Sequence, residues 1–453
     1  MQTGQIMRFL IILLAGFFVV SCAGPKVYQI DLIPAPDVFA EGLVNPFPEK
    51  PPIGKDAPYN GILYATDRLP AEKTFLTPES QEDEVYYKNK RGTLLRLGMG
   101  RIEIDRRIFG GRQDISWDEV RRISLEKNRL NSYPLQIKDI QEFGVLDRSY
   151  HIFSSKKALA TKSSRPAKKY AGLINKKLAI SKKKDIYIYV HGYNTVFEDP
   201  LLVASELWHY MGYDGVFIAY SWPATPRGLA YLADLDTARL ASRNLRLFLE
   251  YLSEETDVEN IHIVGYSMGT RVTTYALQDS ALIYKGESHE KIHKKLHIGN
   301  VMLIGSDLDR GVFTGFMLDG VLNVPSTLNI YMSDTDSALG ASNWLFERAR
   351  LGEAWVANRP PKLFVDYLKE NPNLRFIDVT SAKDAASGNG HHYFTASPWV
   401  SSDLLLTLMY GFSPEQRGLK KDGYGMWEFG KDHLARLRKS LKTMDPELLK
   451  VNK

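Results

Sequence analysis

Ser267 is the residue of this sequence best suited to nucleophilic chemistry. It lies in the segment GYSMG, after a short β-branched run and before a stretch that can continue as a helix. A strand, a sharp turn and a helix in this order form a nucleophile elbow, and the flanking glycines leave room where a Cβ would collide with backbone. The same pattern also fits a buried strand and a turn in which the serine caps the helix, so the other segments must decide.

A base for this serine is predicted in a glycine-containing loop near residue 390. Residues 387–394 read SGNGHHYF and contain two adjacent histidines. Imidazole titrates near neutral pH and can take the proton of an attacking hydroxyl within hydrogen-bond distance. We predict His391 as the base and retain His392 as the alternative. Five other histidines fall in predicted helices or strands and are expected to be structural: His209, His262, His289, His293 and His297.

Carboxylates that follow predicted strands supply the third group. Asp336 is predicted to accept the second imidazole N–H and to stabilise the imidazolium that forms during attack. Its position gives the chain order serine, acid, histidine, which is the order in hydrolases with this elbow. Asp334, Asp307 and Asp309 remain alternatives, because an aspartate in such a turn can equally cap the following helix.

Two backbone N–H groups are needed to bind the negative charge that develops on a substrate oxygen. In hydrolases with this elbow, one belongs to the residue after the nucleophile and the other to the loop after an earlier strand. These positions correspond to Met268 and to Tyr193, which lies in the segment HGYN. His191 and Gly192 are expected to shape this loop rather than to transfer protons.

The elements that would position these groups are strands that alternate with helices. Apolar runs predict strands that end in polar clusters, and such clusters collect at the carboxyl ends of parallel strands. The predicted strands are 61–68, 94–104, 185–190, 215–220, the run before Ser267, 298–305, 328–332 and 374–379. Helices are predicted near 200–211, 234–253 and 270–284. We therefore predict an α/β fold with a mostly parallel sheet and helices on both faces.

Composition narrows the class of protein. The chain has 453 residues, of which 44% are hydrophobic and 25% charged, and a formal charge of +5. These values are typical of a globular protein, and the charge is too small for a nucleic-acid-binding footprint. The sequence has no paired cysteines, no GxGxxG after a strand and no GxxxxGK[ST]. We predict no nucleic-acid partner, no cofactor and no metal site.

The amino-terminal segment predicts export. Arg8 precedes the apolar run 9–20, which has the length of a signal-peptide core and is too short for a membrane span. The run leads into VVSC, which resembles a bacterial lipobox, so we predict residues 1–21 as a lipoprotein signal peptide and Cys22 as the lipidated residue. Cys22 is the only cysteine, which leaves no internal disulfide. By resemblance to such lipoproteins, Ala23 indicates the outer membrane.

The mature chain is predicted to contain three segments. Prolines recur in residues 22–55, which we predict as an extended tether between the lipid and the domain. Residues 56–430 form the predicted domain, with an insertion at about 105–165 that carries one short helix near 117–125. Residues 431–453 form a predicted basic carboxyl-terminal tail.

The motifs also occur together in one order. The chain contains GILYATDR, DIYIYVHGYN, FIAYSWPA, IHIVGYSMGTRV, LIGSDLDRGVF, IYMSDTDSAL and GHHYF. In this combination it resembles a bacterial α/β-hydrolase family of unknown function whose members share HGYN, SWP, HSMG and GHxYF. The resemblance implies an α/β-hydrolase fold, with Ser267 as nucleophile, Asp336 as the acid of the SxxDxAL segment and His391 as the histidine of GHxYF. Tyr266 departs from the family, which commonly has histidine there, but it is not a triad position.

Together these patterns predict a lipid-anchored serine hydrolase of the bacterial envelope. The expected substrates are small-molecule or lipid esters, cleaved through an acyl-enzyme on Ser267. Tyr220, Trp222 and Tyr231 are candidates to line an acyl pocket. An acyltransferase with the same triad and a non-catalytic envelope interaction protein on the same fold are the alternatives.

Overall fold

One large sheet organises the described part of the chain. The computed structural model describes residues 30–40, 44–50, 61–71, 86–104, 116–126, 132–152, 154–227, 230–339, 348–355 and 360–443. The strands are β1 (Ile62–Pro70), β2 (Tyr87–Ile104), β3 (Leu135–Val145), β4 (Asp185–Val190), β5 (Val216–Tyr220), β6 (Asn260–Tyr266), β7 (Ile298–Ile304), β8 (Thr327–Met332), β9 (Leu374–Asp378), β10 (Lys420–Lys421) and β11 (Trp427–Glu428). They form a single sheet of eleven strands within these residues.

Helices flank this sheet. They are α1 (Asp37–Ala40), α2 (Trp117–Ser124), α3 (Lys156–Ala160), α4 (Arg165–Leu178), α5 (Asp199–Tyr210), α6 (Tyr231–Glu255), α7 (Gly269–Ile283), α8 (His289–Leu296), α9 (Arg310–Leu318), α10 (Lys362–Glu370), α11 (Tyr393–Ala396), α12 (Pro398–Tyr410) and α13 (His433–Thr443). Short 3-10 turns lie at Asp147–Ser149 and Val321–Asn323. No helix in the described ranges is both long enough and apolar enough to cross a membrane.

The sheet is mostly parallel, as predicted. Its strand order is β10-β11-β9-β8-β7-β6-β4-β5-β1-β2-β3. β1 is parallel to β5, while β2 and β3 extend that edge antiparallel and β10 closes the other edge antiparallel to β11. Every residue of β4 is buried, which explains why a continuous apolar run, rather than an alternating pattern, marks it in the sequence.

The region predicted as an insertion, about 105–165, contributes to the sheet. The short helix predicted near 117–125 is present as α2, and the same region also holds β3, which pairs with β2 over most of its length. β3 was not predicted because its sequence, LQIKDIQEFGV, lacks an apolar run and its residues are half-buried or exposed. No residue of this edge strand is fully buried, so its faces require few apolar side chains.

Parts of the predicted tether pack against the domain. Leu32, Ile33, Val38, Phe39, Val44 and Phe47 are buried. The Tyr210 hydroxyl donates to the Ile33 carbonyl at 2.9 Å. The Val38 N–H donates to the Ser402 hydroxyl at 3.2 Å. The prolines break the periodicity of this segment, so its apolar residues did not predict burial. The predicted signal peptide and Cys22 lie outside the described residues.

The beginning of the predicted basic tail is a packed helix. α13 buries His433, Leu437 and Leu441, which are spaced four residues apart and therefore share one face. The lysines and arginines of the helix dominated the sequence pattern and hid this apolar stripe. Residues 444–453 lie outside the described residues.

We expect Phe39→Ala to lower the free energy of unfolding by about 3–5 kcal/mol, because it removes a buried aromatic ring. Phe39 is 2% exposed and stacks on Tyr210 with ring centroids 6.2 Å apart. Urea unfolding followed by circular dichroism measures the change. Leu363→Ala, at a side chain 84% exposed, is the control and should shift the value by less than about 0.5 kcal/mol. An unchanged stability in Phe39→Ala would show that this segment does not belong to the folded domain.

Candidate active site

The turn after β6 holds Ser267 in a left-handed backbone conformation. Its φ is 51°, a region that costs a non-glycine residue on the order of 1–2 kcal/mol. The Ser267 N–H donates to the Ile304 carbonyl at 2.8 Å, and the Thr270 hydroxyl donates to the Ser267 carbonyl at 2.6 Å. These bonds fix a sharp reversal that leads from β6 into α7, which is the geometry of a nucleophile elbow.

Two glycines let this elbow approach the end of β4. A Cβ on Gly269 would lie 2.3 Å from the carbonyl oxygens of Val190 and His191. A Cβ on Gly192 would lie 2.8 Å from the Cβ of Ser267. Neither distance is sterically possible, so glycine is required at both positions. The loop after β4 therefore lies directly against the candidate nucleophile.

The two predicted oxyanion donors lie on either side of this contact. Met268 follows Ser267 at the start of α7, and Tyr193 follows Gly192 in the loop after β4. Across the described ranges, neither backbone N–H donates to a protein acceptor. Such donors can bind a developing oxyanion without first breaking another hydrogen bond.

His391 and Asp336 form a buried hydrogen bond. Nδ1 of His391 lies 2.6 Å from Oδ2 of Asp336. The other carboxylate oxygen accepts the N–H groups of Ala338 and Leu339, each at 3.1 Å. Both oxygens are therefore engaged, and the carboxylate is held in one orientation. Because Nδ1 faces the acid, Nε2 of His391 is the atom that can take a proton from a nucleophile.

The imidazole lies over the end of β7, next to the elbow. A Cβ on Gly305 would be 3.0 Å from Cε1 of His391, and the Ser267 N–H binds the residue before this glycine. The Tyr266 ring, which precedes the serine, has its centroid 5.0 Å from that of His391. The hydroxyl of Ser267 and the imidazole are not hydrogen-bonded within the described structure. Such bonds are often formed only when substrate binds.

The loop that carries the histidine is clamped to the turn that carries the acid. The N–H and the hydroxyl of Ser337 both donate to the Asn389 carbonyl, at 3.0 and 2.9 Å. The side chain of Asn389 accepts the N–H of His391 at 3.1 Å. Gly390 has φ 71°, and a Cβ there would lie 2.1 Å from a carbonyl oxygen of the Asp336 turn. This contact fixes the separation between acid and base.

The other predicted acids have different contacts. Asp307 accepts the Nε–H of Arg271 at 3.0 Å, which engages it in a buried ion pair. Asp309 accepts a backbone N–H of α9 at 2.9 Å and so caps that helix, as the alternative reading of such a turn expects. Asp334 is exposed. Among the four aspartates, the structure therefore brings Asp336 to the histidine loop.

Residues 166–408, more than half of the chain, match the family described as alpha/beta hydrolase of unknown function (DUF900). The chain belongs to this family. The predicted α/β-hydrolase fold is thereby confirmed. The match begins after β3 and ends within α12, so the edge formed by β1 to β3 lies outside it. No curated protein and no solved structure matches the chain.

A buried arginine outside the matched region supports the site of this α/β hydrolase. Arg68, at the end of β1, is 1% exposed. Its guanidinium donates to the Thr195 carbonyl at 2.8 Å and to the Ala224 carbonyl at 3.3 Å. It also donates to the Ser221 hydroxyl at 3.3 Å. These bonds join the loops after β4 and β5. The segment GILYATDR was the sequence signal for this residue, but it indicated no role.

His191 and Trp222 connect the same two loops. Their rings stack with centroids 5.3 Å apart, and Nε1 of Trp222 donates to the His191 carbonyl at 2.6 Å. Nε2 of His191 lies 3.0 Å from the Trp222 carbonyl and Nδ1 lies 2.7 Å from the Gly192 carbonyl. Burial, followed by the charge of Arg68, lowers the pKa of His191 to about 3. The ring is therefore neutral at ordinary pH and donates from one nitrogen, which agrees with the predicted shaping role.

Tyr266, the predicted departure from the family pattern, packs against both histidines of the loop. Its hydroxyl lies 2.9 Å from Nδ1 of His392, the alternative base. Burial raises the pKa of Tyr266 well above its usual value, so the hydroxyl stays protonated. Tyr393, in the same motif, accepts the N–H of Gly305 at 2.6 Å through its hydroxyl. Sequence reasoning assigned no role to either tyrosine.

We expect His191→Asn to weaken the acid sensitivity of stability. The unfolded histidine titrates near 6.5 and the folded one near 3, so the stability contribution is full above 6.5 and is lost as pH falls toward 3. Between about pH 7 and about pH 5 the parent should therefore lose about 2 kcal/mol more than the variant. Urea unfolding at both pH values, with the exposed-site variant His289→Gln as control, measures this difference. Equal losses in parent and His191→Asn would contradict a neutral, buried His191.

Proposed function

We propose that this α/β hydrolase is a serine hydrolase that cleaves carboxylic esters through an acyl-enzyme on Ser267. The observation that carries the proposal is the 2.6 Å contact between His391 and Asp336, beside a serine held on a left-handed turn. An imidazole whose Nδ1 is bound by a buried carboxylate presents Nε2 as a general base. The roles of the three residues are part of the proposal, and this geometry supports them.

In the first step the Ser267 oxygen attacks the ester carbonyl carbon while its proton passes to Nε2 of His391. The carbonyl electron pair moves onto oxygen, where the N–H groups of Met268 and Tyr193 stabilise the charge. Asp336 stabilises the imidazolium that forms. The carbon–oxygen bond to the leaving group then breaks, and the alcohol departs with the proton from His391.

In the second step water attacks the acyl carbon and gives a proton to His391. Collapse of the second tetrahedral intermediate releases the carboxylic acid and returns a proton to Ser267. An alcohol or amine in place of water would convert the same sequence of steps into acyl transfer. Whether the enzyme hydrolyses or transfers the acyl group depends on which molecule attacks the acyl-enzyme, and the triad does not select that molecule.

The proposed substrates are small-molecule or lipid esters. Tyr193 and Tyr231 are half-buried beside the proposed oxyanion donors and meet edge to face, with ring centroids 5.4 Å apart. They offer an apolar wall for an acyl chain. Tyr220 and Trp222, which the sequence also suggested as pocket lining, are fully buried in the core and are excluded from this role.

We expect a fluorophosphonate probe to label the parent protein on Ser267. Ser267→Ala should abolish labelling, and His391→Ala and Asp336→Asn should each lower the rate by a factor on the order of 1,000, because they remove the base or its orientation. Labelling followed by gel fluorescence and mass spectrometry measures the rate and the site. A panel of esters of increasing acyl length would then separate a lipase from a short-chain esterase.

Neighbouring residues of the same type provide matched controls. His392→Ala and Asp334→Asn change the adjacent histidine and the nearby exposed aspartate and should keep the labelling rate near that of the parent. If a folded parent is not labelled, the hydrolase proposal fails and a non-catalytic interaction protein replaces it. If His392→Ala loses labelling while His391→Ala keeps it, the assigned base is wrong.

We also propose that the protein is anchored in the bacterial envelope, at the outer membrane, through a lipid on Cys22. The support is the apolar run 9–20 followed by VVSC. Cys22→Ser should move the protein from the membrane fraction to the soluble fraction, because the acyl chains supply most of the membrane affinity. Ser267→Ala is the control and should remain in the membrane fraction. Unchanged sedimentation of Cys22→Ser would contradict lipid anchoring.

A further inference from the structure

Three histidines lie in a row at the end of the sheet where β7 begins, opposite the end that carries the candidate active site. His289 and His293 are four residues apart and share one face of α8, and His297 follows as the carboxyl-terminal cap of the helix. Their ring centroids are 5.9 Å apart for the first pair and 6.2 Å for the second. α8 leads into the start of β7, whereas Ser267 lies at the carboxyl end of β6. The row therefore takes no part in the proposed hydrolysis.

Backbone carbonyls orient the first two rings. Nδ1 of His289 lies 3.0 Å from the Asn323 carbonyl, and Nδ1 of His293 lies 3.2 Å from the Ile298 carbonyl. A carbonyl can only accept, so each Nδ1 carries a proton, and in the neutral imidazole Nε2 then has a free lone pair.

We propose that His289 and His293 bind one divalent transition-metal ion of the zinc class through their Nε2 atoms. Neutral imidazole is a preferred ligand of such ions, and metal-binding histidines generally donate their other N–H to a carbonyl or carboxylate. The spacing of four residues places both rings over one turn of the helix. Hard ions such as Mg²⁺ require oxygen ligands and are excluded by this nitrogen pair.

The pair binds the ion with two protein ligands, and water completes the coordination. In the described ranges no group of three or more His, Cys, Asp or Glu side chains is arranged to hold a metal. His297 is the carboxyl-terminal cap of α8 and has a left-handed backbone, with φ 52°, so it departs from the helical spacing that relates His289 to His293. It is therefore outside the chelate.

The two proposed ligands also stand at a spacing that occurs in zinc enzymes, although the sequence as a whole predicts no metal site. Residues 289–293 read HEKIH, which has the HExxH spacing of zinc proteases. This spacing does not indicate a protease here. Glu290 is exposed on a surface helix, and the described residues provide no third metal ligand. A bound ion would instead link two side chains across one turn of α8.

The test is zinc binding by the full chain, purified in detergent without a histidine tag and freed of metal with a chelator. Isothermal titration with Zn²⁺ should give one site per chain. His289→Gln and His293→Gln should each lower the affinity by at least roughly tenfold, since each removes one of two ligands. Zn²⁺ should raise the melting temperature of the parent and not that of either variant. Mg²⁺ should bind to none of them.

His297→Gln is the matched control and should bind Zn²⁺ as the parent does. Circular dichroism of each variant establishes that the fold is kept. Unchanged zinc affinity in His289→Gln and His293→Gln would overturn the proposal and place any bound ion elsewhere, for example at His391. A loss in His297→Gln as large as that in His289→Gln would also overturn it. The readout is independent of hydrolase activity, so it stands or falls separately from the proposed function.

Discussion

The candidate site depends on close contacts at the ends of β4, β6 and β7 that are possible because glycines stand there. Gly192 and Gly269 allow the elbow to rest on the end of β4, and Gly305 allows the imidazole of His391 to lie over the end of β7. A Cβ at Gly192 or Gly269 would collide with the opposing segment, and a Cβ at Gly305 would press on the His391 ring. The candidate nucleophile, oxyanion donors and base are therefore positioned by the strand ends rather than by flexible side chains.

Much of the sheet could be predicted because buried parallel strands leave continuous apolar runs in the sequence. β4, β5 and β7 to β9 agree with their predicted positions to within a residue or two. Apolar runs did not reveal segments that are only partly buried or whose buried residues are interrupted by prolines. β3 lies on the edge and lacks an apolar run, and the segment around Phe39 packs into the core between prolines that break its pattern.

The candidate site, too, could be predicted only in part from the sequence. Sequence order brought several aspartates to one edge of the sheet, but it could not choose among them, because each follows a strand and each can cap a helix. The choice follows from partners that are distant in sequence: Arg271 engages Asp307, and the clamp between Ser337 and Asn389 directs Asp336 to His391. The support that Arg68 gives to the loops was hidden for the same reason, since its acceptors are more than a hundred residues away.

Tyr266, the predicted departure from the family pattern, contacts both histidines of the loop. The ring lies against His391, while the hydroxyl reaches Nδ1 of His392 at 2.9 Å. This contact gives His392 a hydrogen-bond partner of its own and holds it apart from the carboxylate. The adjacent histidine is then the one whose Nδ1 meets Asp336. The two adjacent imidazoles therefore have different partners: the Tyr266 hydroxyl binds His392, and the Asp336 carboxylate binds His391. Only a carboxylate partner stabilises the imidazolium that a general base becomes.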